Sequence, residues 1–152
     1  MRPYEHTQIG YVIIYSIIAV GIFVGLLINV VPAEEELSPG QIVWILSSIL
    51  FLVIFFFYRL KVVVDQNRIK IIFGIGFVHR SWQLKDIVTT EIITCPWWYG
   101  WGIHFTPHGT LFNVSGSRAV ALRLSSGRTA LIGSDEPEKL QEAIMTNKGK
   151  SV

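Results

Sequence analysis

The sequence predicts an apolar α-helical hairpin followed by a small, mainly β domain closed by a C-terminal helix. Three observations carry that expectation. Residues 42–61, IVWILSSILFLVIFFFYRLK, form an almost unbroken apolar run that stops at Arg59, and a bilayer core about 30 Å thick needs roughly 20 such residues in a helix. Residues 10–31 form a second apolar block, interrupted only by small or mildly polar residues and Asn29. From Leu60 the hydrophobic period changes to short β-type runs between turn signals, and helical spacing returns only at Leu140 and Ile144.

Composition fits this division. Of 152 residues, 51% are hydrophobic and 16% charged. The apolar excess sits in the two blocks, and the remainder, about 90 residues, is enough for one small domain. Residues 1–59 are therefore assigned to a polar lead and two transmembrane helices, near 10–31 and 42–59. Residues 60–146 form the β domain and 147–152 a frayed tail. A net charge of +2 argues against nucleic acid as a partner. Cys95 is the only cysteine, so no internal disulfide forms and a reducing compartment is compatible. Beside Pro96 it reads as a packing residue, since a catalytic thiol needs a positioned base.

The first apolar block is too long for a signal-peptide core and its leading charge, Arg2, is weak, so a first transmembrane helix is the better reading. Within it, Gly21 and Gly25 lie four apart on one face and permit close helix packing. The expected neighbour is the second helix of the hairpin through Ser47 and Ser48, with self-association as the alternative. Residues 32–41, PAEEELSPGQ, form the connecting loop and carry no Lys or Arg, whereas Arg59, Lys61, Arg68 and Lys70 follow the second helix. The positive-inside rule then leaves both termini and the β domain cytoplasmic, with Tyr11, Trp44 and Tyr58 near the interfaces.

In the β domain, strands are expected at residues 60–64, 69–73, 77–82, 88–95, 103–105, 110–114, 119–124 and 129–132. Glycines are placed in most of the turns. Asp135 is expected to N-cap the last helix, with Glu138 as its capping-box partner and Leu140 and Ile144 docked on the β core.

The segments FGIGFVHRSWQLKDI (73–87), YGWGI (99–103), NVSGSRAVALRLSSGR (113–128) and IGSDEPEKLQEAI (132–144) resemble a bacterial family of small membrane proteins with a pleckstrin-homology-like domain after a transmembrane pair. The resemblance covers most of residues 60–146. It implies a seven-stranded antiparallel barrel or sandwich capped by a C-terminal helix, in the bacterial cytoplasmic membrane, and implies no catalytic residues. Two departures argue against specific phosphoinositide recognition. The first hairpin turn is Asp65-Gln66-Asn67, and the final helix lacks the tryptophan of eukaryotic members.

Two sets of residues are candidates for interaction. Pro96 to Gly102 holds Trp97, Trp98, Tyr99 and Trp101. These rings are expected to dip into the headgroup layer, to form a protein hot spot, or to plug one end of the barrel. Arg59, Lys61, Arg68, Lys70, Arg80 and Lys85 could face anionic lipid, each contributing about 1 kcal/mol, or could be solvated strand positions. His79, His104 and His108 match no zinc spacing, so neither metal nor cofactor is expected. With no paired carboxylates either, an enzyme is the least supported class. The reading that follows is a non-catalytic, membrane-anchored module for protein interaction or self-assembly. Lipid-headgroup recognition is the alternative, and an accessory subunit of a channel or transporter the third.

Overall fold

The computed structural model describes residues 3–28 and 38–149. Asn29, the glutamates at 34–36 and residues 150–152 lie outside the described residues. In chain order the elements are β1 (Tyr4–Ile9), α1 (Tyr11–Ile28), α2 (Pro39–Phe57), β2 (Arg59–Val64), β3 (Arg68–Phe73), β4 (Val78–Gln83), β5 (Ile87–Thr94), β6 (Gly102–Thr106), β7 (Gly109–Asn113), β8 (Arg118–Leu124), β9 (Thr129–Gly133) and α3 (Pro137–Lys148). Single 3-10 turns at Leu84–Asp86 and Trp97–Tyr99 precede β5 and β6.

The fold is mainly β with a C-terminal helix, and it departs from the expected seven-stranded antiparallel barrel or sandwich in strand count, pairing and closure. Among the described residues, two sheets, ordered β1-β2-β3-β4 and β5-β8-β9-β7-β6, hold nine strands, and they do not close into a barrel. One pairing is parallel: β9 lies between β8 and β7 and runs in the same direction as β7. The eight expected strands are all present. The ninth, β1, arises from the polar lead and pairs with β2 along its whole length, from Tyr4↔Val64 to Ile9↔Arg59. Its inward positions, Tyr4, His6 and Gln8, are polar or amphipathic, so no hydrophobic alternation announces it. The sheet thus recruits residues that the sequence reading assigned to the anchor.

This pairing brings the start of α1 next to the end of α2, and the Gly10 amide donates to the Tyr58 carbonyl at 2.8 Å. α2 begins at Pro39, three residues before the expected start, because Ser38 and Gln41 form a reciprocal capping box. Gly40–Phe57 is long and apolar enough to cross a membrane, whereas Tyr11–Leu26 is a shorter apolar helix. The less exposed side chains, Ile13, Ile14, Ile17 and Val24 in α1 and Val43, Leu46, Leu50, Ile54 and Phe57 in α2, follow helical three-to-four spacing and form the seam. Gly21 and Gly25 lie at exposed positions of α1. A Cβ added at either would meet no heavy atom within 4 Å. Ser47 and Ser48 are exposed, and Ser48 bonds back to the Trp44 carbonyl.

Strand alternation builds the core. Leu60, Val62 and Val64 of β2 and Ile69, Ile71 and Phe73 of β3 are buried together with Phe112, Val120, Leu122, Ala130 and Ile132 of the second sheet. Leu140 and Ile144 of α3 close this core. Strand β8 is buried on both faces, since Ala119 and Ala121 join Leu111, Leu131 and Cys95 in a second cluster on the outer side. The N-cap of α3 differs from expectation. It is Glu136, which makes no side-chain cap bond. Asp135 is instead bound by His6 Nε2 at 2.6 Å, and Glu138 pairs with Arg118. The helix also runs into the expected frayed tail, as far as Lys148. There the Gln141 amide and the Lys148 ammonium donate to the Thr90 and Val88 carbonyls of the edge strand β5, at 3.0 and 2.8 Å.

Candidate functional site

Exposed aromatic side chains stand on the β3–β4 turn and on the β5–β6 loop, both of which contact the end of the hairpin that meets the sheets. On one side is the β3–β4 turn. Gly74 lies there at φ +49°, with Phe55 and Phe56 carbonyls so close that an added Cβ would stand 2.5 Å from each. Only glycine meets both demands. The Arg59 guanidinium donates to the Gly74 carbonyl at 2.8 Å and the Gly74 amide to the Arg59 carbonyl at 2.9 Å, which fixes the turn against the last turn of α2. The turn then projects Ile75 and Phe77 outward. Phe77 is 75% exposed, and its ring meets Phe56 edge-on at 6.3 Å.

On the other side is the aromatic loop, whose four rings divide into two pairs. Trp97 and Trp98 are 76% and 68% exposed and stand perpendicular to one another, with ring centres 6.0 Å apart. Tyr99 packs on the outer cluster of the second sheet. Trp101 packs against the main core and, with Ile13, Ile17, Val53 and Phe57, lines a pocket of about 430 Å³ beside the hairpin. Gly100 and Gly102, at φ +75° and +107°, permit the reversal between the pairs. Tyr99 and Trp101 thus hold the loop, and Trp97 and Trp98 project from it.

The six basic residues do not converge. Arg59 lies at the hairpin base, with its guanidinium 5.3 Å from the centre of the Tyr58 ring. Lys61 pairs with Glu5 of β1 at 2.5 Å, and Arg68 with Asp65 at 3.1 Å. The Asp65 carboxyl also accepts the Asn67 and Arg68 amides. Burial pushes its pKa up, but these bonds and the Arg68 charge outweigh that effect and hold it below the ordinary value. Lys70 shares the outer face of β3 with Arg68, and Lys85 follows the end of β4 that pairs with Arg68, remote from the hairpin. Arg80 faces a cleft between the sheets.

His79, His104 and His108 occupy separate turns and strands. His79 donates to the Gly76 carbonyl and His104 to that of Trp101. Cys95 is buried, and desolvation raises its thiol pKa, the opposite of activation. Ile75, Phe77 and Phe105 were missed in the sequence. The run Phe73-Gly74-Ile75-Gly76-Phe77 signalled a turn through its glycines, while its apolar residues are the ones exposed. The chain matches no protein-family model and no curated protein.

Proposed function

We propose that the chain is a non-catalytic, membrane-anchored module with a pleckstrin-homology-like domain, held against the cytoplasmic face of a bacterial membrane and engaging a protein partner. The observation that carries this reading is the apolar collar around the end of the hairpin. Ile75 and Phe77 lie beside the last turn of α2, and Trp101 fixes Trp97 and Trp98 on a loop beside the same helix ends. Exposed aromatic rings at that level suit the bilayer interface. The candidate spanning segment of α2 has none of its length buried in protein, which suits a helix solvated by lipid. β1 and β2 rise directly from the hairpin, so the domain is held at a fixed height, and tethering raises its effective concentration for other proteins on the membrane. The two sheets and the terminal helix support the pleckstrin-homology-like reading.

The exposure of Trp97 and Trp98 favours a second reading, lipid-headgroup recognition through the loop. Reconstitution of the full chain in vesicles tests the anchor. The chain should resist alkaline extraction, and added protease should digest the β domain while sparing the hairpin. Release at high pH, or digestion of both apolar helices, would overturn the reading. Binding that needs anionic lipid and weakens with salt would favour headgroup recognition.

A further inference from the structure

Four strand edges bound the two sheets, and two of them, β5 and β1, are tied to other elements. Edge β5 has the Val88 and Thr90 carbonyls taken by Lys148 and Gln141 of α3. Edge β1 is stitched to the second sheet, with the Gln8 side chain donating to the Gly133 carbonyl and His6 bonded to Asp135. The remaining edges, β4 and β6, each have one strand neighbour, and both line the same cleft of about 470 Å³. Its apolar walls include Trp82 from β4, Ile103 and Phe105 from β6, and Phe112 from β7. Phe105 is 92% exposed, one residue from the end of the edge strand β6. Arg80 and Arg128 also line the cleft, and neither makes an ion pair among the described residues.

Open edges are templates for strand addition unless something blocks them. We propose that the β4–β6 cleft binds an extended segment of a partner polypeptide that alternates apolar side chains with an acidic one. The five residues of β6 offer about 17 Å of edge. Ile103 and Phe105, two residues apart, present one face to alternate side chains of an added strand. The unpaired guanidiniums supply the charge complement, since Arg binds carboxylates through two parallel hydrogen bonds. This inference rests on the reading of the domain as a protein-interaction module and is independent of its seat on the bilayer.

The test is selection of a displayed random nonapeptide library on the full chain in detergent micelles. Enriched peptides should alternate apolar residues and carry Asp or Glu. Phe105→Asp should weaken them at least about tenfold, and Arg80→Glu with Arg128→Glu should shift the enriched set toward Lys and Arg. Trp97→Ala with Trp98→Ala should leave the selection unchanged. If Phe105→Asp fails to fold, Arg128→Glu, at an exposed turn residue, still reports the charge preference. Enrichment no greater than on the Phe105→Asp chain, or peptides indifferent to the arginine reversals, would overturn the proposal. Either result would leave the vesicle experiment standing.

Discussion

Replacing Gln8 by Leu should loosen the strand that clamps the hairpin to the sheets. Gln8 is 2% exposed, and its amide donates to the Gly133 carbonyl at 2.5 Å and accepts from Ser115 Oγ at 3.3 Å. Leucine keeps much of the volume but leaves the buried Gly133 carbonyl and the half-buried Ser115 hydroxyl without their bond. A net hydrogen bond contributes about 1 kcal/mol, and an abandoned buried acceptor costs about 1–3 kcal/mol. The loss should therefore be about 2–3 kcal/mol, roughly 10 °C or more in the melting of a domain of about 100 residues. Near-ultraviolet circular dichroism of the full chain in micelles measures it, and hydrogen exchange of the β1–β2 amides localises it. Thr7, the adjacent residue, lies on the exposed side of β1, so Thr7→Val should change stability by no more than about 0.5 kcal/mol. Equal stability of the Gln8→Leu and wild-type chains, or equal effects at positions 7 and 8, would refute the stitched edge.

Three further outcomes follow from the geometry. Gly109→Ala should cost about 3 kcal/mol or more, since its φ of +134° disfavours a side chain and its Cβ would run into the Thr129 carbonyl. Gly127→Ala, at φ +80° in open space, should cost only about 1 kcal/mol, and a pair of thermal melts decides it. The Tyr4 hydroxyl is raised to about 12, first by desolvation and then by the Glu136 and Asp135 carboxylates. The folded pKa lies above the unfolded one, so Tyr4 contributes stability below pH 10 that is lost as pH rises toward 12. The ceiling is about 2.7 kcal/mol before screening at this half-buried site, and Tyr4→Phe should flatten that alkaline limb in pH-dependent melts. Trp101→Ala should destabilise the domain by about 2–4 kcal/mol in micelles, whereas Trp97→Ala or Trp98→Ala should change it by about 0.5 kcal/mol or less and act only where a bilayer is present.

The sequence announces those elements whose packing side chains are apolar. The alternation in β2 and β3 and the spacing of Leu140 and Ile144 reflect the core directly. β1 is hidden because its buried residue is Gln8 and its partners lie 107 and 125 residues away. The α3 cap misled for a related reason, since Asp135 is drawn to His6 of the same unseen strand. In the aromatic loop, composition marked the right segment, but only the fold separates the anchoring Tyr99 and Trp101 from the projecting Trp97 and Trp98. The basic residues looked like one set because they are close in sequence. Strand pairing spreads them from the hairpin base to the far end of the sheet.

Depth measurement by spin labelling decides whether the exposed rings beside the hairpin lie in the bilayer interface. In a Cys95→Ala chain reconstituted in vesicles, nitroxides at positions 77 and 98 bracket the hairpin, and one at position 85 marks the far end of the sheet. Collisions with oxygen should exceed those with a water-soluble nickel chelate at 77 and 98, and the reverse should hold at 85. Water-like accessibility at all three positions would contradict that placement, for the collar would then stand clear of the membrane.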